Sequence, residues 1–376
     1  MVFSSLLFIC LFLPLNLVAY YIPTKTPVRN TVMLVFSLFF YAWGEPKYVF
    51  LLMFMTFACW LFALIIQKNK ESDQKKSKLA LIGACIVSLG LIGIFKYGTF
   101  FLSNLKNLTG FPADIPQIAL PIGISFYTFQ LLTYVVDVYR GDAEAQDNYF
   151  NLLLYASLFH QCIAGPIVRY SHIANEITNR TPKMSEFNKC VMRFSTGLAK
   201  KVLLSNFCGS FADTLLLSDS AMADTSLLAE NLDKLSSASA LTLWFGMLFY
   251  MLQIYLDFSA YSDMAIGMGL MTGFHYRENF DYPYASKTVS EFWRRWHISL
   301  GSFFRDYVYI PLGGNKKGQV RTILNLFVVW ALTGLWHGAA WNYVLWGLYF
   351  FIFIAAEKLF LDKLLKKVPS IVSRIY

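Results

Sequence analysis

A chain of 376 residues that is 56% hydrophobic, 18% aromatic and only 15% charged is not the sequence of two water-soluble domains, which carry about a quarter charged residues. Disorder, collagen and disulfide-stapled miniproteins are excluded by the same figures. The formal charge of +9 gathers in lysines between apolar runs (Lys68, Lys70, Lys75, Lys76, Lys78), the pattern of a membrane orientation signal and not of nucleic-acid binding.

The uncharged runs, such as 48–67 and 235–256, are about twenty residues long, enough to cross about 30 Å of hydrocarbon at about 1.5 Å per residue. Backbone groups in that core must be satisfied internally, and these runs lack the alternation of barrel strands. The predicted fold class is therefore all-α, a polytopic transmembrane helical bundle. The six cysteines form no C-x-x-C pair and read as small buried hydrophobes, with neither a disulfide frame nor a metal site.

In chain order, residues 1–24 carry no basic leader or cleavage pattern, so the first span (3–22) is expected to be retained. Further spans are predicted near 28–44, 48–67 and 79–102, with the lysine loop 68–78 on the cytoplasmic side. The run 115–136 contains Pro116, Pro121 and Gly123 and predicts a bent or re-entrant helix. A span is expected over 148–168 around His160, a helix entering from the interface over 186–212, and a loop over the polar stretch 218–234. The span 235–256 runs into Asp257 and Asp263. Residues 286–306, dense in Trp and Arg, predict an interfacial helix. The run 322–356 is too long for one crossing and predicts two spans or a break near Gly338. One integral membrane domain over 1–376 is expected, with a core over 115–347.

An ionisable group inside a membrane is expensive and by default functional. His337 is the clearest instance, flanked by Gly334 and Gly338, which are expected to let a substrate approach the backbone. A neutral imidazole in a dry pocket can take the proton of an attacking hydroxyl; the bland alternative is a histidine hydrogen-bonding between helices. In 291–300 (EFWRRWHISL), a continuous helix would set Trp293 and Arg294 four and three positions before His297, pointing one way, a face suited to a phosphate-bearing donor. Lipid headgroups are the competing partners for these arginines. Asp257 and Asp263, six apart, read first as partners of Arg or backbone groups near the site. His160, His172 and His275 read as packing, loop or interfacial residues, and no metal-ligand spacing is present.

These segments together resemble the membrane-bound O-acyltransferase family, closest to its bacterial alginate O-acetylation branch. The resemblance rests on 120–130 (LPIGISFYTFQ), 134–140, 164–169 (AGPIVR), 257–267 (DFSAYSDMAIG), 291–300, 305–314 (RDYVYIPLGG) and 332–338 (LTGLWHG), in this order along most of the chain. Ala260 stands where many relatives have Gly. The resemblance implies a ring of helices around a funnel, with re-entrant and interfacial helices and further spans beyond Tyr376. It implies a multi-pass protein of the bacterial inner membrane whose catalytic histidine is His337 and whose second polar position is His297.

It further implies an acetyl group delivered from a cytoplasmic thioester, acetyl-CoA, to a hydroxyl of an exported polysaccharide, with no bound cofactor or metal. Periplasmic partners of the SGNH-hydrolase type are implied to finish the transfer. The expected mechanism makes His337 the general base and His297 an orienter of the acceptor or oxyanion, with Trp293, Trp296 and Trp336 lining the lumen beside Asp257, Asp263 and the two glycines, and Arg294 with Trp293 toward the donor. An acyl-histidine intermediate ranks second. The rivals are D-alanyl transfer from a carrier protein to teichoic acid, a transporter, and a non-catalytic component of polysaccharide export.

Overall fold

The structure is a computed structural model describing residues 1–110, 115–116, 118–163, 165–182, 184–217 and 225–369. Helices account for its regular elements, and there is no strand among the described residues. In chain order they are α1 (Leu13–Tyr21), α2 (Thr26–Gly44), α3 (Val49–Asn69), α4 (Gln74–Ile92), α5 (Gly98–Thr109), α6 (Ile124–Arg140), α7 (Tyr149–Ser157), α8 (Tyr170–Thr178), α9 (Phe187–Ala199), α10 (Asn206–Leu215), α11 (Thr225–Ser237), α12 (Ala240–Met271), α13 (Val289–Arg295), α14 (Ile298–Phe304), α15 (Gly318–His337), α16 (Trp341–Ala356) and α17 (Asp362–Leu365). A π-helical turn, Gly93–Tyr97, joins α4 to α5.

Among the described residues, five helical runs are long and apolar enough to cross a membrane: Val49–Asn69, Gln74–Thr109, Ala240–Met271, Gly318–His337 and Trp341–Leu365. Each presents large apolar side chains outward, such as Phe50, Phe54, Leu79, Ile86, Trp244 and Leu345, which in lipid are at home. The Asp73 carboxylate, in the loop before α4, caps that helix by accepting from the Lys76 amide at 3.1 Å. That bond holds its pKa below the ordinary carboxylate value.

The chain divides into two units, Met1–Val18 with Thr181–His275, and Ala19–Arg180 with Tyr276–Tyr376. In the first, α9 packs on α12 with their backbones in close approach. A methyl on Gly197 would lie 2.7 Å from the Ala260 carbonyl oxygen, and one on Gly267 would lie 2.7 Å from the Phe194 nitrogen. Small residues at such crossings are how helices associate where lipid offers no hydrophobic drive.

In the second unit, α6 is buried on most of its surface, including Tyr127, Leu131 and Tyr134. Its start is set by Gly123, left-handed at φ 75°, whose missing side chain leaves room for the Cys162 carbonyl. On α6, Asp137 accepts from Tyr307 Oη at 2.5 Å and Ser171 Oγ at 3.1 Å, satisfying a nearly buried carboxylate.

Several expectations change. The expected spans 3–22 and 28–44 are not among the runs long and apolar enough to cross, the first being a shorter apolar helix, Phe8–Tyr21. The apolar stretch 148–168 is no span: α7 ends at Ser157, and turns follow in which Leu158, Phe159, His160 and Gln161 are fully buried. Its hydrophobicity serves a protein interior, which composition cannot tell from lipid. The segment 115–136 is non-helical at its described residues before 121 and helical only from Ile124. Of the expected loop 218–234, residues 218–224 lie outside the described residues, and the remainder belongs to α11.

Candidate active site

Helix α15 ends at His337. Gly338 leaves in an extended conformation (φ −170°, ψ 155°), and α16 starts at Trp341, which is the break expected near Gly338. The two helices form a hairpin crossing at Gly334 and Gly347. A methyl on Gly334 would lie 2.5 Å from the Tyr343 carbonyl oxygen, and one on Gly347 would lie 3.0 Å from the Gly334 Cα. A methyl on Gly338 would enter the Tyr343 ring. The space beside both expected substrate-approach glycines is thus filled by α16: they admit a neighbouring helix. The hairpin turns the His337 ring against Trp346 (4.7 Å between centroids, 74° between planes) and Trp336 (5.0 Å, 82°).

Residues 286–306 do not form one helix. α13 stops at Arg295, and His297 takes a left-handed conformation at φ 45°, a region costly for most side chains. The continuous helix that would aim Trp293, Arg294 and His297 in one direction is therefore absent. The kink is held by Asn279, whose backbone oxygen accepts from the Ile298 amide at 3.0 Å. Its Oδ1 accepts from the Ser299 amide at 3.2 Å and from Ser299 Oγ at 2.9 Å, and lies 3.2 Å from His297 Nδ1. Ser299 Oγ lies 3.3 Å from the same Nδ1, so both neighbours fix the plane of the ring. His297 is nearly buried, its ring 5.7 Å from that of Trp336.

The start of α13 is capped from several sides. Thr288 Oγ1 accepts from the Glu291 amide at 3.0 Å and Glu291 from the Lys287 amide at 3.0 Å. Glu357, only 4% exposed, accepts from the Val289 amide at 2.7 Å and the Ser290 amide at 2.9 Å. The Lys287 amide, reinforced by Arg295, holds the Glu291 carboxyl below the ordinary carboxylate range.

These parts border one cavity of about 770 Å³. Trp293, Arg294, Trp296, His297 and His337 all line it, His297 nearly buried and His337 exposed. Its ionisable lining holds four cations, Arg294, Arg305, Lys358 and Lys366, against two carboxylates, Glu357 and Asp362. Glu357 is engaged by backbone amides, Asp362 pairs with Lys366 at 2.7 Å and Arg305 with Asp306 at 2.7 Å, so the positive excess that favours an anionic ligand rests on Arg294 and Lys358.

Trp336 sits instead in a buried cluster with Phe129, Leu300, Phe303 and Phe304, its ring packed against those of both histidines. Asp257 and Asp263 lie in the other unit. There Asp263 pairs with Arg193 and Lys200, each at 2.6 Å, and Asp257 with Lys201 at 2.5 Å: Asp263 has an arginine partner of the kind expected, and Asp257 has a lysine instead.

Lys96 and Tyr97 stand outside the expected site residues. Lys96 Nζ donates to the Trp336 carbonyl and to Ser125 Oγ at 2.9 Å, and Tyr97 Oη donates to the Leu335 carbonyl at 2.7 Å. The available signal was a lone lysine inside an apolar run. Among the described residues no group of three or more His, Cys, Asp or Glu is placed to hold a metal ion.

A family model described as the membrane-bound O-acyltransferase family matches residues 145–365. The chain is 40% identical over 364 residues to the probable alginate O-acetylase AlgI of Pseudomonas putida, covering 95% of this chain and 71% of that protein. It is 39% identical over 362 residues to the probable alginate O-acetylase AlgI of Pseudomonas aeruginosa, covering 95% and 66%. It is 33% identical over 379 residues to the peptidoglycan O-acetyltransferase of Helicobacter pylori, covering 93% and 68%. The chain thus spans 66% to 71% of the length of these relatives.

Proposed function

The chain belongs to the membrane-bound O-acyltransferase family, and from that premise we propose that it is a multi-pass O-acetyltransferase of a bacterial inner membrane. It takes acetyl from acetyl-CoA and passes it toward a hydroxyl of an exported polysaccharide of the alginate type. Periplasmic proteins of the SGNH-hydrolase type complete delivery to the polymer. The observation that carries the reading is the meeting of His297, His337, Trp293 and Arg294 on one cavity whose ionisable lining is mainly cationic.

In the proposed step the acceptor oxygen attacks the thioester carbonyl, and His337 takes the hydroxyl proton as the C–O bond forms. The C–S bond then breaks, and the proton passes to the departing thiolate. His297, its Nδ1 turned to Asn279 and its ring bordering the same cavity, orients the acceptor hydroxyl. Arg294 and the lysines of the cavity suit the donor phosphates. Trp293, whose ring packs against Trp330, Trp346 and Phe350 at 4.9 to 5.5 Å, supplies a rigid apolar wall that excludes water from the thioester.

The test supplies membranes containing the protein, together with the periplasmic extract of the same cells, with acetyl-labelled acetyl-CoA and alginate oligosaccharides. Label on the polysaccharide, dependent on the chain, is the expected result. Transfer only from an acyl carrier protein, or passage of polysaccharide without acylation, would overturn the reading in favour of D-alanyl-type transfer or transport.

A further inference from the structure

Lys96 lies in the helical run Gln74–Thr109, which contains a stretch apolar enough to cross a membrane, and a cation in such a run is costly unless its charge is used. Its surroundings show the use. The carbonyls of the last turn of α15 have no amide ahead of them, because the chain leaves in extended form at Gly338; only Gly334 is reached, by the Gly338 amide at 3.4 Å. Lys96 Nζ donates to the Trp336 carbonyl and Tyr97 Oη donates to that of Leu335. The two residues immediately before His337 are therefore held by two successive side chains from a distant helix. Lys96 is fixed in turn by Ser125 Oγ at 2.9 Å and lies 5.6 Å from the centroid of the Trp336 ring.

Both side chains sit on the π-helical turn Gly93–Tyr97, and such a turn is an irregularity often found at functional sites. A cation at a helix C-terminus also matches the negative end of the helix dipole. The carbonyl groups fixed this way lie one and two residues from the imidazole, so any movement of the clamp rotates the end of α15 and with it the ring of His337.

We propose that Lys96 and Tyr97 are positioning residues that clamp the C-terminus of α15 and hold His337 at its place in the cavity. The proposal rests on the reading of His337 as the base. Turnover of labelled acetyl-CoA is measured for Lys96→Met and Tyr97→Phe, each in the native and in the His337→Ala background, with thermal unfolding of every protein followed in detergent. A reacting group misplaced by about 1 Å can lose about 100-fold in rate. Lys96→Met is therefore expected to lower kcat by about 100-fold with KM within about two-fold. Tyr97→Phe, which removes one hydroxyl and no volume, is expected to lower kcat about ten-fold, the scale of one hydrogen bond. In the His337→Ala background neither is expected to lower the residual rate further.

If His337→Ala abolishes turnover while both variants keep native kcat, the clamp is refuted and the base stands. Equal losses in the native and His337→Ala backgrounds also refute it, since the pair would then act elsewhere. A His337→Ala protein with native turnover removes the base and the clamp together. Should Lys96→Met fail to fold, Tyr97→Phe carries the same comparison alone.

Discussion

Replacing Gly334 by Ala tests how tightly the α15–α16 hairpin sets the site. The new methyl would lie 2.5 Å from the Tyr343 carbonyl oxygen and 3.3 Å from the Gly347 Cα, whereas ordinary contact begins at 3.4 Å. Both neighbours are backbone atoms, so no side chain can swing away, and α16 must retreat by about 0.9 Å, the shortfall between 3.4 and 2.5 Å. Overpacking of this kind costs about 1–3 kcal/mol, and alanine returns about 0.8–1.0 kcal/mol in helix propensity. The net destabilisation is then about 0–2 kcal/mol. The retreat also carries Trp346, whose ring centroid is 4.7 Å from that of His337, and a shift near 1 Å can cost about 100-fold in rate. Gly334→Ala is thus expected to melt a few degrees lower in detergent at most, yet to lose most acetyl transfer. Gly90→Ala is the control, since nothing lies within 4 Å of a methyl there; it should be neutral or stabilising, with native transfer. A Gly334→Ala protein as stable and active as Gly90→Ala would refute the reasoning.

Glu357→Ala removes the acceptor of the Val289 and Ser290 amides. At about 1.5–3 kcal/mol for a hydrogen bond to a charged group, it should lower thermal stability by more than Gly334→Ala does and impair transfer, because α13 leads directly to His297. Glu291→Gln should lower stability by about 1 kcal/mol at pH 7. Because its folded pKa is depressed, that contribution is present above the unfolded value of about 4.3 and fades as pH falls through the folded value, so the melting curves of native and variant protein should converge in acid. His297→Asn should retain native thermal stability within about 1 kcal/mol, since Asn tolerates the left-handed region, whereas His297→Val should lose clearly more in the same scan.

The membrane character and the break at Gly338 were legible because each follows from length against bilayer thickness. The run 322–356 is too long for one crossing, and a helix that ends on histidine and glycine is where it divides. Residues 148–168 misled because a segment buried in protein is as apolar as one in lipid. The kink at His297 left no trace in residue type, being imposed by Asn279 and Ser299 on a stretch whose composition suits one helix. His297 and His337 were found as ionisable residues in apolar surroundings. Lys96 met the same criterion and was passed over, and no local pattern pairs it or Tyr97 with carbonyls 240 and 238 residues away. The two glycines of 334–338 were legible as close-approach positions, but only the hairpin reveals that the approaching group is Tyr343.

The most direct measurement of the central claim is single-turnover acetyl transfer by folded His337→Ala protein in membranes supplied with labelled acetyl-CoA. General-base removal predicts a rate lower by about 100- to 10,000-fold with donor binding retained. A rate within about three-fold of the native one would contradict the assignment of the base to His337.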